Sequence, residues 1–396
     1  MKGPNPRRLW IYVTRCLGLR SYFRSPGDGR PQPQIRAQAL LWSLLVGQVL
    51  RACSFLAVER LVRSAARRAL AVSRSFSDDA LDYFTERLDP TFTRAALARV
   101  LHQAKRNKAF ETSGGIGLAV DGSTVGWRAS SGCSLCRPYR KEQEIAGYRH
   151  HVVLATVVGT GLSLPFDVEP YGSGDSEYAA GQRLLRRAIE LLGVRFAAYV
   201  VVDGEFATAP FLHAAGKLGL PVVARLKANL PELWAAAQKR FRSQRPKLTF
   251  RHGPDRVELW DAEDFDPWEN LRWETVRVLF YRQQKPDGKI IEAFWLSDSP
   301  IQEVSSRVLF HRAKSRWEIE NQGFNDAKNR HDLEHICHHH TNSLLITWLL
   351  TCLALTIERL YRLRYLRRGT HPPHTAADFV HLLWLSLSPP APADSG

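Results

Sequence analysis

Acidic residues, cysteines and long apolar runs are scarce in this chain of 396 residues. Its six cysteines are scattered and do not form a disulfide framework, which favours a reducing cytoplasm. The longest apolar run, Leu344 to Ile357, is interrupted by threonine and is shorter than the roughly 20 residues that a membrane span requires. Residues 1–6 lack the apolar core of a secretory signal. We therefore expect a cytoplasmic protein with no membrane partner.

Positive charge, by contrast, is abundant, and the formal net charge is +16. Residues 1–110 contain 20 Lys and Arg against 7 Asp and Glu, so this part carries +13 and the remainder only +3. A basic segment attached to a nearly neutral body is typical of a protein that binds a polyanion such as nucleic acid. The alternative is a solvated surface whose arginine content reflects genomic composition.

The N-terminal part of the chain divides into two segments. Residues 1–34 are rich in Arg, Gly and Pro, which predicts a flexible basic arm. Residues 35–112 contain few helix breakers, and their apolar residues recur at helical spacing. We predict a basic helical region here that binds DNA.

The composition and periodicity of the sequence change at residue 113. Residues 113–227 and 298–342 alternate short apolar runs with helical segments, which predicts an α/β core with a mixed sheet. Residues 228–297 predict a β-rich antiparallel insertion with a hairpin near residues 286–288. Residues 343–396 predict a C-terminal helical region and tail.

Two apolar runs of the core are each followed by an acid and a glycine. Asp121-Gly122 follows the first run, and Asp203-Gly204 follows a later one. Functional residues of α/β sheets lie at strand ends, where a carboxylate can bind a hard cation. An Asp-Gly pair can equally form a simple turn. We therefore predict a shared functional edge, with two turns as the alternative.

A third acid lies in a predicted polar helix over residues 304–330. Arg316, Glu320 and Phe324 are four residues apart and share one face of that helix. An exposed Arg–Glu pair is common and contributes little to stability. The neighbouring Trp317 and Ile319, however, indicate a packed helix, so Glu320 should face a crevice.

The residues Arg316-Trp-Glu-Ile-Glu320, followed by Phe324 and Lys328, resemble the signature helix of bacterial insertion-sequence transposases of the DDE type. The segments Ser173–Glu177 and Val223–Asn229 also resemble that family. The β-rich stretch before Glu320 is similar to the subclass with an insertion between the second and third acid. The resemblance covers about residues 75–365.

The resemblance implies a ribonuclease-H-like core in which Asp121, Asp203 and Glu320 form the catalytic triad. These acids would hold two Mg²⁺ or Mn²⁺ ions for in-line attack on a phosphodiester. It further implies a homodimer on double-stranded DNA, close to the bacterial nucleoid. Glu177 could assist near the site, although an exposed acid at a helix start is the alternative.

The same resemblance implies that Arg316, Trp317 and Lys328 contact DNA. The chain departs from the family pattern at two positions of this helix. Ala313 stands where the family has Tyr, and Lys328 follows Glu320 by eight residues where the family has seven. In the family, the side chains at these two positions help to hold the terminal phosphate of the DNA.

A separate set of residues could bind zinc. Cys133 and Cys136 have CxxC spacing, and Cys337 and His338 lie in a Cys/His-rich run far downstream. The alternative is reduced thiols in a loop and a polar histidine run at the end of a helix.

We therefore predict an insertion-sequence transposase that binds terminal inverted repeats, cleaves DNA and transfers strands. Two alternatives remain open. The first is a metal-dependent nuclease of the same fold without strand joining, and the second is a DNA-binding protein whose catalysis has decayed.

Overall fold

A mixed sheet of ten strands forms the centre of the protein in its computed structural model. The structure describes residues 7–110, 112, 114–266, 271, 273, 275–366 and 375–387. The strands are β1 (Gly117–Arg128), β2 (Arg137–Lys141), β3 (Glu144–Val158), β4 (Leu164–Pro170), β5 (Tyr199–Val202), β6 (Val222–Leu226), β7 (Leu248–His252), β8 (Asp255–Phe265), β9 (Val276–Gln284) and β10 (Ile290–Ser297). Their order is β2-β3-β1-β5-β6-β10-β9-β8-β7, and β4 also pairs with β3.

The first six strands contain the core that the sequence predicts. β4, β3 and β1 are antiparallel neighbours, whereas β1, β5 and β6 are parallel. All four residues of β5 are buried, as a Val-rich parallel strand requires. The predicted fold class, an α/β protein with a ribonuclease-H-like mixed sheet, is confirmed.

The β-rich stretch of residues 228–297 extends this sheet. Its strands β7 to β10 pair antiparallel with their neighbours. β10 also pairs antiparallel with β6, through contacts such as Leu296 with Ala224. The inserted strands therefore continue the core sheet edge to edge.

Helices pack against the sheet and against one another. They are α1 (Arg7–Ile11), α2 (Leu19–Tyr22), α3 (Ala37–Val49), α4 (Phe55–Arg63), α5 (Ala66–Ala69), α6 (Asp78–Arg87), α7 (Pro90–Arg106), α8 (Glu177–Leu192), α9 (Ala209–Lys217), α10 (Pro231–Arg242), α11 (Ser306–Lys314), α12 (Arg316–Glu318), α13 (Asn325–His331), α14 (Thr341–Tyr361) and α15 (Ala376–Leu387). Single π-helical turns span Tyr12–Cys16, Ile319–Phe324 and Arg362–Leu366, and a 3₁₀ turn spans Gly204–Phe206.

Helix α14 joins the N-terminal helices to the sheet. It packs against α3, α6 and α7 on one side and against β4 on the other. With its π-helical extension it is long and apolar enough to cross a membrane, but 94% of its most apolar window is buried inside the protein. The buried face explains the apolar sequence of a core helix.

The predicted arm over residues 1–34 differs from the structure. Leu9 and Tyr12 are buried in helical segments, and the Tyr12 ring packs against Tyr361 and Tyr365 of the C-terminal region. Further on, Phe23 is also fully buried. The apolar residues between the arginines therefore anchor this segment. Residues 1–6 lie outside the described residues.

Candidate active site

The side chains of Asp121 and Asp203 project from neighbouring strands at the same level. The parallel register pairs Val120 of β1 with Val202 of β5, so the next residues on both strands are these two acids. Neighbouring strands are about 4.8 Å apart, which brings the two carboxyl groups together.

The sequence predicts that β1 ends at Asp121. In the structure the strand continues to Arg128. Its pairing with β3 persists from Gly117–Val158 to Arg128–Tyr148, with a bulge after Val125. The acid is thus placed where the parallel pairing with β5 ends, while β3 supports the other edge of the strand.

The helical segment of residues 306–331 delivers Glu320 to the same place. Arg316 Nη2 contacts Glu320 Oε2 at 2.9 Å, and its Nη1 lies 3.7 Å from Asp121 Oδ2. The Arg316 side chain is only 8% exposed. The guanidinium therefore joins the acid of the helix to an acid of the sheet; the shared face predicts its contact with Glu320 but not its contact with Asp121.

A π-helical turn over Ile319–Phe324 interrupts this segment at Glu320. Ile319 and Phe324 are buried, while the Glu320 side chain is 48% exposed. Such wider turns inside α-helices are frequent at functional sites because they shift the direction of the side chains. Here one side of the turn packs on the sheet and the acid remains accessible.

A lysine neutralises Asp203, the second acid. Lys227 Nζ lies 2.9 Å from Asp203 Oδ2. The other oxygen, Oδ1, is buried and has no hydrogen-bond partner among the described residues. Lys227 belongs to Val223–Asn229, which the resemblance already included, although its pairing with Asp203 was not predicted.

Charge repulsion and burial act together on Asp121. Burial raises the pKa of Asp121 to about 7; Arg316 opposes the rise, and the charges of Asp203 and Glu320 add to it. Burial also acts on Asp203, but the hydrogen bond from Lys227 leaves the pKa of Asp203 below its ordinary value. The three acids thus bring like charges together, and the direct contacts with Arg316 and Lys227 offset part of their repulsion.

This arrangement fits a divalent cation. Carboxylate oxygens are the protein ligands that Mg²⁺ and Mn²⁺ prefer. Asp121, Asp203 and Glu320 supply them at one edge, and the buried Oδ1 of Asp203 still has an unused lone pair. These residues could therefore hold the metal ions that the family resemblance implies.

A fourth acid, Glu177, also borders the site. It begins α8, is half-buried and accepts a hydrogen bond of 3.0 Å from Tyr171 Oη. A Cβ atom on Gly122 would lie 2.3 Å from Glu177 Oε1, so the glycine permits this close approach. Burial raises the pKa of Glu177, with contributions from Glu205 and Asp203. The interpretation as an exposed helix-start acid is wrong.

The other predicted residues of the helix lie around the triad. Trp317 packs edge-on against Trp295 of β10, with 6.1 Å between ring centroids. Lys328 Nζ donates to the Thr124 carbonyl at 2.8 Å. Glu318, a neighbouring acid of the same helical segment, accepts a hydrogen bond from Gly159 N, just after β3.

Ala313, at the position of the family's tyrosine, is fully buried. Its methyl group is therefore part of the hydrophobic core.

The predicted zinc ligands separate into two groups. Cys133 and Cys136 lie together, with 3.7 Å between their Sγ atoms. Cys337, however, donates to the Cys53 carbonyl, and His338 contacts Glu86 at 2.9 Å. Including Cys337 and His338 in one site with the CxxC pair was therefore wrong, because their side chains point towards the N-terminal helices.

Two histidines other than His338 join the CxxC pair instead. They are His150 of β3 and His339. His339 belongs to the Cys/His-rich run of residues 335–340, which was a usable signal, whereas no local spacing marks His150.

Comparisons with known proteins identify the family. No curated protein matches the chain. A cryo-EM structure of a piggyBac transposase synaptic complex with hairpin DNA matches 97% of this chain and 80% of that chain, at 13% identity and a TM-score of 0.45. The family described as "Transposase DDE domain" matches residues 112–357. This match includes all three converging acids and more than half of the chain, which therefore belongs to the DDE-domain transposases.

Proposed function

We propose that this transposase binds the terminal inverted repeats of an insertion sequence, cleaves the DNA there and joins the 3′-hydroxyl ends to target DNA. One observation carries the proposal: Asp121, Asp203 and Glu320, which are distant in sequence, converge at one edge of the sheet, where Arg316 contacts Asp121 and Glu320 and Lys227 contacts Asp203. A convergence of three acids is poorly explained by stability alone, because burying like charges is costly.

Asp121, Asp203 and Glu320 would hold two Mg²⁺ or Mn²⁺ ions. The chemistry available with such a bound pair is activation of water or a 3′-hydroxyl and stabilisation of the leaving oxygen. Arg316 fixes the direction of the Asp121 and Glu320 carboxylates, and Lys227 does the same for Asp203. The half-buried Glu177 adds negative charge beside them.

A β-ribbon next to the triad supports DNA binding. Beyond Asp121, β1 continues into a ribbon with β2 and the first half of β3. Trp127 and Tyr139 are exposed on it, by 58% and 40%, and the Arg149 guanidinium stacks 4.0 Å from the Tyr139 ring centroid. Basic side chains interleaved with exposed rings are suited to phosphates and bases.

Cleavage and joining of labelled DNA test this proposal. The substrate carries the short inverted repeats that flank the reading frame, and the products are separated by size after incubation with Mg²⁺ or Mn²⁺. We expect Asp121→Asn, Asp203→Asn and Glu320→Gln each to abolish cleavage while DNA binding is retained. The losses should be similarly severe and not additive, because the three acids act as one unit.

Glu318→Gln is the matched control, since Glu318 lies on the same helix but contacts Gly159. This variant should retain cleavage. Full cleavage by Glu320→Gln would overturn the assignment of the triad. Cleavage without any joined product would instead identify a nuclease, and DNA binding without cleavage by the unaltered chain would identify a decayed enzyme.

A further inference from the structure

Four side chains with metal-binding atoms meet at the base of the β-ribbon. Cys133 and Cys136 lie in the turn between β1 and β2, His150 lies on β3, and His339 immediately precedes the residue that caps α14. One ligand atom from each side chain lies within 4.8 Å of the other three. The cluster is separate from the carboxylates of the DDE site and plays no part in the chemistry proposed above.

The distances within the cluster match the edges of a tetrahedron around zinc. The Sγ atoms of Cys133 and Cys136 are 3.7 Å apart, and His150 Nε2 lies 3.3 Å and 3.5 Å from them. Zinc binds thiolate at about 2.3 Å and imidazole at about 2.0–2.1 Å, so tetrahedral angles place such ligand atoms roughly 3.5–3.8 Å apart. The two Sγ atoms and His150 Nε2 lie close to this spacing, and a ligand atom of His339 lies within 4.8 Å of all three.

His339 provides an independent indication. Both of its ring nitrogens are buried, and neither has a hydrogen-bond partner in the part of the chain that the structure describes. Burying an imidazole without hydrogen-bond partners costs free energy of folding. The ring nitrogens therefore indicate that a ligand binds here. A Cβ atom on Gly132 would lie 2.6 Å from His339 Nδ1, so the glycine lets the ring approach the cysteine turn closely.

We propose that Cys133, Cys136, His150 and His339 form a structural zinc site. Two thiolates and two imidazoles are a donor set that suits Zn²⁺, whereas the Mg²⁺ or Mn²⁺ of the DDE site requires oxygen. Four protein ligands complete the tetrahedron and leave no position for water or substrate, which is characteristic of a structural ion.

The ion would connect two parts of the transposase. Cys133, Cys136 and His150 belong to the ribbon that continues from Asp121, and His339 belongs to the segment after the helix that carries Glu320. The His150 ring also packs against Trp348 of α14 and against His339 itself. Zinc would thus hold the base of the ribbon against the C-terminal helices and keep sheet and helix aligned.

Metal analysis of the full chain, purified without added metal or chelator, tests the proposal. We expect about one zinc ion per chain, with two sulfur and two nitrogen neighbours in the X-ray absorption spectrum. His339→Ala and the double variant Cys133→Ser/Cys136→Ser should each lower the zinc content about tenfold or more, since each lost ligand weakens the site. A zinc chelator should lower the melting temperature of the unaltered chain but not that of His339→Ala.

Matched controls distinguish this ligand set from the one that the sequence suggested. Cys337→Ser and His338→Ala alter the neighbouring side chains, which contact Cys53 and Glu86 instead, and should retain full zinc content. Glu320→Gln should also retain zinc, which separates this site from the DDE site. If the cysteine variants fail to fold, His339→Ala and Co²⁺ substitution of the unaltered chain, read by thiolate-to-cobalt absorption, give the answer. Folded protein that contains no zinc and takes up none on titration would overturn the proposal, as would a Cys133–Cys136 disulfide.

Discussion

At the scale of single residues, Arg316 has the strongest claim to a functional role beside the three proposed catalytic acids. It is 8% exposed and contacts one acid on the helix and one on the sheet. Two of its nitrogens, Nε and Nη1, are buried without hydrogen-bond partners among the described residues. A planar guanidinium with unused hydrogen-bond donors beside carboxylates is suited to bind a phosphate group of DNA.

We expect Arg316→Ala to slow DNA end cleavage by at least about tenfold, equivalent to about 1.4 kcal/mol. The same variant should lower the free energy of unfolding by roughly 2 kcal/mol, because Asp121 and Glu320 lose their shared cation. Added Mg²⁺ should restore part of this stability. Cleavage rate and melting temperature are measured on Arg316→Ala, Arg316→Lys and Lys328→Ala. Normal cleavage at saturating DNA with a lowered melting point would leave Arg316 a purely structural role.

A second prediction concerns Asp298, which follows β10 and accepts a hydrogen bond of 2.9 Å from Val222 N. Burial raises the pKa of Asp298 to about 6 from 3.8. The folded protein therefore favours the protonated form, and this contribution to stability is complete below about pH 4 and is lost as the pH rises through 6. Asp298→Asn should stabilise the fold at pH 7 by on the order of 3 kcal/mol and make no difference near pH 4.

Melting curves at both pH values measure this effect. Asp264→Asn is the control, since Asp264 is 67% exposed and its removal should change stability by less than about 0.5 kcal/mol at either pH. An equal effect of Asp298→Asn at pH 4 and pH 7 would contradict the protonation argument.

At the scale of elements, close packing between helices decides which small residues are required. Gly47 of α3 faces α4, and a Cβ atom there would lie 2.6 Å from Val58 Cγ2 and 2.9 Å from the Ala52 carbonyl oxygen. Gly216 of α9, by contrast, has no heavy atom of the described residues within 4 Å of such a Cβ. Both glycines are helical, so the surroundings alone distinguish them.

We expect Gly47→Ala to lower the free energy of unfolding by about 1–3 kcal/mol, because a backbone oxygen cannot move aside cheaply. Gly216→Ala should raise it by about 0.5–1 kcal/mol, since alanine favours the helix and meets no obstacle. Chemical denaturation of the two variants gives both values. Equal effects of the two substitutions would show that α3 and α4 can separate without cost.

At the scale of the whole molecule, the basic N-terminal helices and the central sheet share one core. Asn342 of α14 donates to the carbonyls of Thr85 and Leu88, and Thr85 donates to Ser343. Helix α14, from the C-terminal part of the sequence, thus packs as part of the N-terminal helical region. DNA binding by the basic region is therefore tested on the full chain.

We expect the affinity of the full chain for DNA to fall by roughly 100-fold between 50 mM and 200 mM salt, because bound Lys and Arg release counterions from phosphates. Glu320→Gln should show the same salt dependence. Charge reversal on the ribbon, by Arg140→Glu and Lys141→Glu, should weaken binding and reduce the slope by about one per phosphate contact. Fluorescence anisotropy with labelled duplex measures these slopes. A slope near zero would show that the charge reflects surface composition.

The sequence by itself determined the mixed α/β core and the family, and it singled out the three acids that the structure brings together. These features depend on periodicity and on short patterns such as the one around Arg316 and Glu320, which are local along the chain. The placement of Asp121 inside β1 was missed because pairing with β3, and not the Asp-Gly pair, sets the length of that strand.

Only the tertiary structure decided which distant side chains meet. It showed that Lys227 contacts Asp203 and that Glu177 lies half-buried beside Gly122. It also placed His150 and His339, and not the predicted Cys337 and His338, next to the CxxC pair. The physical reason is that spacing predicts neighbours within one element, whereas contacts between elements follow from packing. Residues that are adjacent in sequence, such as His338 and His339, can therefore face different partners.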